Sequence, residues 1–147
     1  MRLVVKRTIH AAGEPVFDWL ADSSNYTVAP VLLRERRVRD GEAAPYGVGA
    51  IREMLATGAW FREEITTYDR PRTIGYLIIR SYPRLLHRGG TIQITPVGDA
   101  VDVVWTSEYT VARAWGGRLT ALLFKPVLIW SFTRILRGAE RATAGRA

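Results

Sequence analysis

From residue 31 onward the chain is cut into short β-like runs by closely spaced turns, and no other feature restricts its fold as strongly. The runs lie near residues 32–39, 48–55, 60–68, 73–80, 88–95 and 101–112, parted by Asp40-Gly41, Thr57-Gly58, Asp69-Arg70-Pro71, a looser 81–87 loop and Gly98-Asp99. Joined so tightly, they predict an antiparallel meander. Residues 3–10, LVVKRTIH, add a seventh strand at the front. Behind it, Glu14-Pro15 opens a short helix with Val16, Phe17, Trp19 and Leu20 as its apolar residues, and a further helical turn near Asn25-Tyr26 is stopped by Pro30.

Two of the turns are short enough to dictate register. A two-residue turn at Thr57-Gly58 sets Leu55 opposite Trp60, Met54 opposite Phe61, Glu53 opposite Arg62 and Arg52 opposite Glu63. The less charged face, with Arg52, Met54, Phe61, Glu63 and Ile65, is the one expected inside. Arg52 and Glu63 then form a cross-strand ion pair in the interior. Such a pair can serve the fold alone at a sheet's rim, or it can be the polar end of an apolar pocket. A turn at Val97–Ala100 pairs Ile94 with Val103, Ile92 with Trp105 and Gly90 with Ser107, so that Val103, Trp105, Ser107, Tyr109 and Val111 point inward. By analogy Ile74, Tyr76, Ile78 and Arg80 face inward on the preceding strand.

The stretch from Gly116 to Arg141 reads as one long C-terminal helix. Leu119, Leu122, Leu123, Pro126, Ile129, Trp130 and Thr133 share one side, and Phe124, Leu128, Phe132 and Ile135 lie nearly opposite. The first stripe is expected to roof a pocket, with Pro126 kinking the helix above it. The second is left for an outer contact, either a homodimer or a peripheral approach to an anionic membrane. A transmembrane span is disfavoured because Lys125 and Arg134 would each cost about 2.5–3.5 kcal/mol near a bilayer centre. One long helix on a curved antiparallel sheet is an α+β architecture, here a single domain over residues 1–147.

Composition narrows the function. With 48% hydrophobic and 24% charged residues the chain lies outside the disordered class. It has no cysteine, hence no disulfide and no thiolate metal site. The net charge of +7 is compatible with nucleic acid or anionic lipid. Its arginines, however, are scattered, and the densest run, Arg34-Glu-Arg-Arg-Val-Arg39, reads as a solvated strand; no nucleic-acid partner is expected. The opening MRLVVKRTIH lacks the apolar core of a signal peptide, which points to the cytoplasm. There is no G-x-S-x-G, phosphate loop or metal-ligand spacing, so neither a metal nor another cofactor is expected. His87, in the 81–87 loop, is expected at the surface; if it reached a cavity, it would titrate near neutrality.

The segment IHAAGEPVFDWLADSSNY carries Ala11, Glu14, Val16, Phe17, Leu20, Ala21, Asp22, Asn25 and Tyr26 in the order A-x-x-E-x-V-F-x-x-L-A-D-x-x-N-Y. Gly47, Gly49 and Arg52, then Glu63, Ile65, Asp69 and Pro71, then Tyr76, then Gly116-Gly117 follow in sequence. In order and spacing this resembles the START-like superfamily (SRPBCC, helix-grip fold), in its polyketide cyclase/dehydrase and lipid-transport branch. The glycines at 47 and 49 are not a dinucleotide fingerprint, because they lie within a meander with no following helix. The resemblance implies a seven-stranded antiparallel sheet gripping the C-terminal helix, with a cavity between them for an apolar ligand. Thr27-Val-Ala-Pro30 departs from the W-x-P or P-x-W of many relatives and alters one wall of the cavity's mouth.

The residues expected to touch such a ligand are Arg52, Met54, Phe61, Glu63, Tyr76, Ile78, Ile92, Ile94, Val103, Trp105 and Tyr109 from the sheet. From the helix they are Leu119, Leu122, Leu123, Pro126 and Trp130. Three functions remain open. One is a carrier for a lipid, isoprenoid or polyketide-like molecule. A second is a cyclase or dehydratase in which Arg52, Glu63, Tyr76 and Tyr109 polarise a carbonyl and move a proton. The third is a membrane-associated or dimeric module working through Phe124, Leu128, Phe132 and Ile135.

Overall fold

Short turns order the sheet. A computed structural model describes residues 1–145. Strands β1 (Arg2–Ile9), β2 (Leu32–Arg39), β3 (Ile51–Ala56), β4 (Ala59–Asp69), β5 (Thr73–Tyr82), β6 (Leu85–Val97) and β7 (Ala100–Val111) form one sheet in the order β1-β7-β6-β5-β4-β3-β2. Every neighbouring pair is antiparallel. Helix α1 (Gly13–Ala21) and a 3-10 segment, Ser23–Val28, follow β1, and α2 (Gly117–Thr143) lies along the concave face. This is the seven-stranded helix-grip arrangement that the sequence predicts. Both turn-dictated hairpins have the expected register, Arg52 opposite Glu63 in one and Ile92 opposite Trp105 in the other.

The main core fills the end of the sheet under α1 and the second half of α2. Phe17 and Leu20 of α1 meet Ile9, Ile74, Ile92, Ile94 and Val103 of the sheet and Ile135, Leu136 and Ala139 of α2. Each fully buried aliphatic side chain contributes about 1.5–3 kcal/mol. Under the first half of α2 only a small cluster forms, from Leu3, Tyr109, Val111 and Ala121. The space between the two clusters is the cavity.

The structure reverses the two stripes of α2. Phe124, Leu128, Phe132 and Ile135 face the sheet, while Leu119, Leu122, Leu123, Pro126 and Trp130 are exposed. Side-chain size explains the choice: Ala121, Ser131 and Ala139 lie on the inner side and are buried, which lets the helix backbone approach the sheet. Pro126 lies on the outer face, and α2 continues through it from Gly117 to Thr143. Arg80 is also outside rather than inside. A register shift between Arg62–Arg80 and Glu63–Ile78 leaves Ile79 unpaired, and this bulge flips the alternation so that Ser81 points inward.

Gly90 admits a close approach at the cavity's edge. A Cβ there would lie 2.1 Å from Cζ of Tyr76. Gly90→Ala is expected to lower stability by about 1–3 kcal/mol in urea denaturation and to displace the Tyr76 ring. At Gly98, whose φ of 63° lies in open space at the β6–β7 turn, the same change costs only backbone strain, about 1 kcal/mol.

Candidate functional site

Between the sheet and the inner face of α2 lies a cavity of about 100 Å³. Its walls are apolar: Met54 and Phe61 from the β3–β4 hairpin, Trp105 from β7, and Phe124, Leu128 and Phe132 from α2. Polar groups gather at one end, from Arg52, Glu63, Tyr76, His87 and Ser107, with Tyr26 of the 3-10 segment closing that end. Leu32, Ala56 and the exposed Thr57 line the side toward the β3–β4 turn.

Arg52 is 1% exposed and its Nε donates to Oε1 of Glu63 at 2.8 Å. The guanidinium lies between two aromatic faces, 5.3 Å from the Tyr26 ring and 5.4 Å from that of Tyr76. Burial disfavours its charge, but the Glu63 carboxylate and the two phenols outweigh that penalty and hold the guanidinium protonated above its ordinary range. Its Nη1 is buried and has no hydrogen-bond partner among the described residues. A buried guanidinium N–H left in this way lacks about the worth of one charged hydrogen bond, roughly 1.5–3 kcal/mol.

Tyr76 presents the second donor. Its hydroxyl accepts from Trp105 Nε1 at 2.9 Å, which leaves its own O–H to donate. Burial raises its pKa strongly, so at neutral pH it is a phenol and not a phenolate. Tyr109 is committed elsewhere: its hydroxyl donates to the Ala121 carbonyl at 2.8 Å and ties β7 to α2.

His87 is not a surface residue. β6 begins at Leu85, earlier than expected, and a register shift between His87 and Gly89, whose φ is 123°, turns the imidazole into the cavity wall. The β5–β6 ladder ends at Tyr76–Gly90, and beyond it His87 Nδ1 accepts from the Ile78 N–H at 2.9 Å. The proton of the neutral ring is therefore on Nε2, which donates to Ser107 Oγ at 2.8 Å. A histidine that donates to a serine cannot take its proton, so this pair is not a nucleophilic dyad. Burial lowers the His87 pKa to about 4, away from the neutral range expected for it in a cavity.

Of the residues proposed from sequence, the structure brings Arg52, Met54, Phe61, Glu63, Tyr76, Ile78, Trp105 and Tyr109 to the cavity. Ile92, Ile94 and Val103 are buried in the main core instead, nearer the β6–β7 turn. Leu119, Leu122, Leu123, Pro126 and Trp130 are on the outer face of α2, and their place is taken by Phe124, Val127, Leu128, Ser131, Phe132 and Ile135. Sequence reasoning does not pick out Tyr26, His87 and Ser107 as site residues. The Asn25-Tyr26 motif and the inward alternation of Ser107 are visible signals for two of them; His87 depends on a bulge.

A family model described as polyketide cyclase/dehydrase and lipid transport matches residues 1–143. Among solved structures the chain is similar to the ZhuI aromatase/cyclase from Streptomyces sp. R1128, at 14% identity over 96% of this chain and 94% of that one, with a TM-score of 0.77. It is similar to a START superfamily protein from Mycobacterium smegmatis, at 11% identity over 97% and 99% of the two chains, TM-score 0.76. It also resembles a protein of Thermus thermophilus, at 16% identity over 98% and 100%, TM-score 0.75. At such identities these likenesses concern the fold. No curated protein matches in sequence.

Two measurements follow from the polar end. Arg52→Met leaves a buried carboxylate alone and is expected to cost about 3–5 kcal/mol, most of it recovered in Arg52→Met/Glu63→Leu; urea denaturation of the single and double variants reads the difference. For His87 the folded chain refuses a proton that the unfolded chain accepts between pH 6.5 and about 4. Stability is thus full above pH 6.5, falls as pH drops toward 4, and levels off below that. His87→Gln should flatten this slope in thermal melts recorded across that range.

Proposed function

Because the chain belongs to the polyketide cyclase/dehydrase and lipid transport family, we propose that it binds an apolar small molecule carrying one oxygen acceptor. The apolar body of this molecule rests against Phe61, Phe124 and Phe132, and its oxygen meets Arg52 Nη1 and the Tyr76 hydroxyl. The observation that carries this reading is the buried, unpartnered Nη1 at the polar end of an otherwise apolar cavity. A ketone, a carboxylate or a phenol satisfies that donor; a hydrocarbon leaves it unsatisfied.

Size restricts the ligand further. About 100 Å³ is small beside the roughly 300–1,000 Å³ of pockets for drug-sized ligands. A single ring fits as the cavity stands. A longer polyketide or lipid chain requires the first half of α2 to move outward, and that half is held by the small Leu3, Tyr109, Val111 and Ala121 cluster rather than by the main core.

A second reading is cyclase or dehydratase activity, favoured by the position of Glu63. Only its Oε1 is engaged by Arg52, and the other oxygen is available beside the same donors. In that reaction Glu63 takes a proton from the carbon next to a ligand carbonyl, and the electron pair moves to the carbonyl oxygen as an enolate held by Arg52 and Tyr76.

Acetophenone and isopropylbenzene, nearly equal in shape, test the binding reading by chemical-shift titration. Acetophenone is expected to bind at least about tenfold more tightly, with the advantage lost in Arg52→Gln/Glu63→Gln. Equal affinity for the two compounds would refute the role given to Arg52. Native mass spectrometry followed by organic extraction identifies any ligand retained on purification. Substrate turnover that Glu63→Gln abolishes, with binding kept, would establish the enzymatic reading in its place.

A further inference from the structure

Helix α2 is long and apolar enough, by length and composition, to cross a membrane, yet only 22% of its most apolar stretch is buried. The uncovered part is its first half. Leu119 is 67% exposed, Leu123 65%, Leu122 49% and Trp130 46%. These residues share one side of the helix, directly opposite Phe124, Leu128 and Phe132, which close the cavity. Trp115, 45% exposed, extends this surface from the turn before α2, and its ring meets Tyr82 at 6.3 Å, which in turn meets Trp60 at 5.8 Å. A row of half-exposed Trp and Tyr rings beside exposed leucines is the composition of a membrane–water interface.

The two chain segments that form most of this surface carry charge of one sign. From Arg70 to Gly98 and from Tyr109 to Ala139 the sequence contains no Asp or Glu. The first segment contributes Arg84, whose carbonyl accepts from the Ala112 N–H at 3.1 Å, which places it beside Arg113. The second contributes Arg113, Arg118 and Lys125, and none of these four cations is in an ion pair among the described residues. A second copy of the chain is a poor partner, since an isologous contact would set Arg118 and Lys125 of one copy against those of the other. Anionic lipid headgroups complement the cations, and the acyl boundary takes the leucines.

We propose that the first half of α2, with Trp115 and the neighbouring arginines, docks on a bilayer that carries anionic headgroups. The docked surface is the outer side of the same helical turns that wall the cavity, and it stands whether or not the cavity turns its ligand over.

Co-sedimentation with vesicles of phosphatidylcholine, with and without about one third phosphatidylglycerol, tests the proposal. The protein is expected to bind the anionic vesicles and to leave them as salt rises from about 0.05 M to about 0.5 M. Leu122→Asp/Leu123→Asp should reduce this binding about tenfold or more. Arg113→Glu/Arg118→Glu, at two exposed positions, should do the same with circular dichroism unchanged, and decides the matter if the leucine variant fails to fold. Failure to bind anionic vesicles, equal binding to both vesicle types, or undiminished binding by the folded variants overturns the proposal. So does a dimer in analytical ultracentrifugation that the same variants dissociate, since the stripe would then be covered by a second copy.

Discussion

Trp105 holds the molecule's layers together. Its indole stacks on Phe132 of α2, with centroids 4.1 Å apart and planes 7° from parallel. It also packs against Tyr26 of the 3-10 segment at 5.7 Å and donates to the Tyr76 hydroxyl in the sheet. Aromatic pairs of this kind contribute about 0.5–1.5 kcal/mol each beyond area burial. The consequence is geometric as much as energetic. Helix, sheet and 3-10 segment all index to one ring, so the cavity beside that ring has a fixed inner boundary while its outer half is bounded by a more loosely covered helix.

The polar end depends on that fixed boundary. Arg52 and Glu63 sit opposite each other in a hairpin whose two-residue turn admits no slippage, and the Tyr26 and Tyr76 faces hold the guanidinium between them. Removing two charges from water is costly, and the geometry offsets the cost only in part, since Nη1 is left over. The donor left over belongs to a residue at the polar end of a mostly apolar cavity, and family and fold are both consistent with hydrophobic-ligand binding or cyclase-type chemistry there.

Much of this is legible in the sequence where covalent constraints are short. Thr57-Gly58 and the Val97–Ala100 turn fix register, and with register comes the identity of the inward residues of β3, β4 and β7 and of β6 from Gly90 onward. The bulges at Ile79 and before Gly89 carry no comparable signal, so simple alternation puts Arg80 inside, and His87, read as part of the 81–87 loop, is expected at the surface, the reverse of where they lie. The two stripes of α2 come out exchanged for another reason. Period separates the faces of a helix but does not rank them when both are apolar. What ranks them is steric: Ala121, Ser131 and Ala139 mark the side on which a backbone can come close, and that pattern is present in the sequence beside Phe124, Leu128 and Phe132.

The end of the β5–β6 ladder at Tyr76–Gly90 changes what kind of wall the cavity has. Past that rung two side chains join the strands: the His87 imidazole accepts from the Ile78 N–H, and the Ser81 hydroxyl accepts from the Leu85 N–H at 2.9 Å. A fully laddered pair resists spreading collectively, because several bonds must lengthen at once. Here two bonds to side chains, each with its own rotamers, govern the spacing. The capacity of the cavity on that side therefore depends on two side chains, His87 and Ser81, and a point substitution can alter it without re-registering a strand.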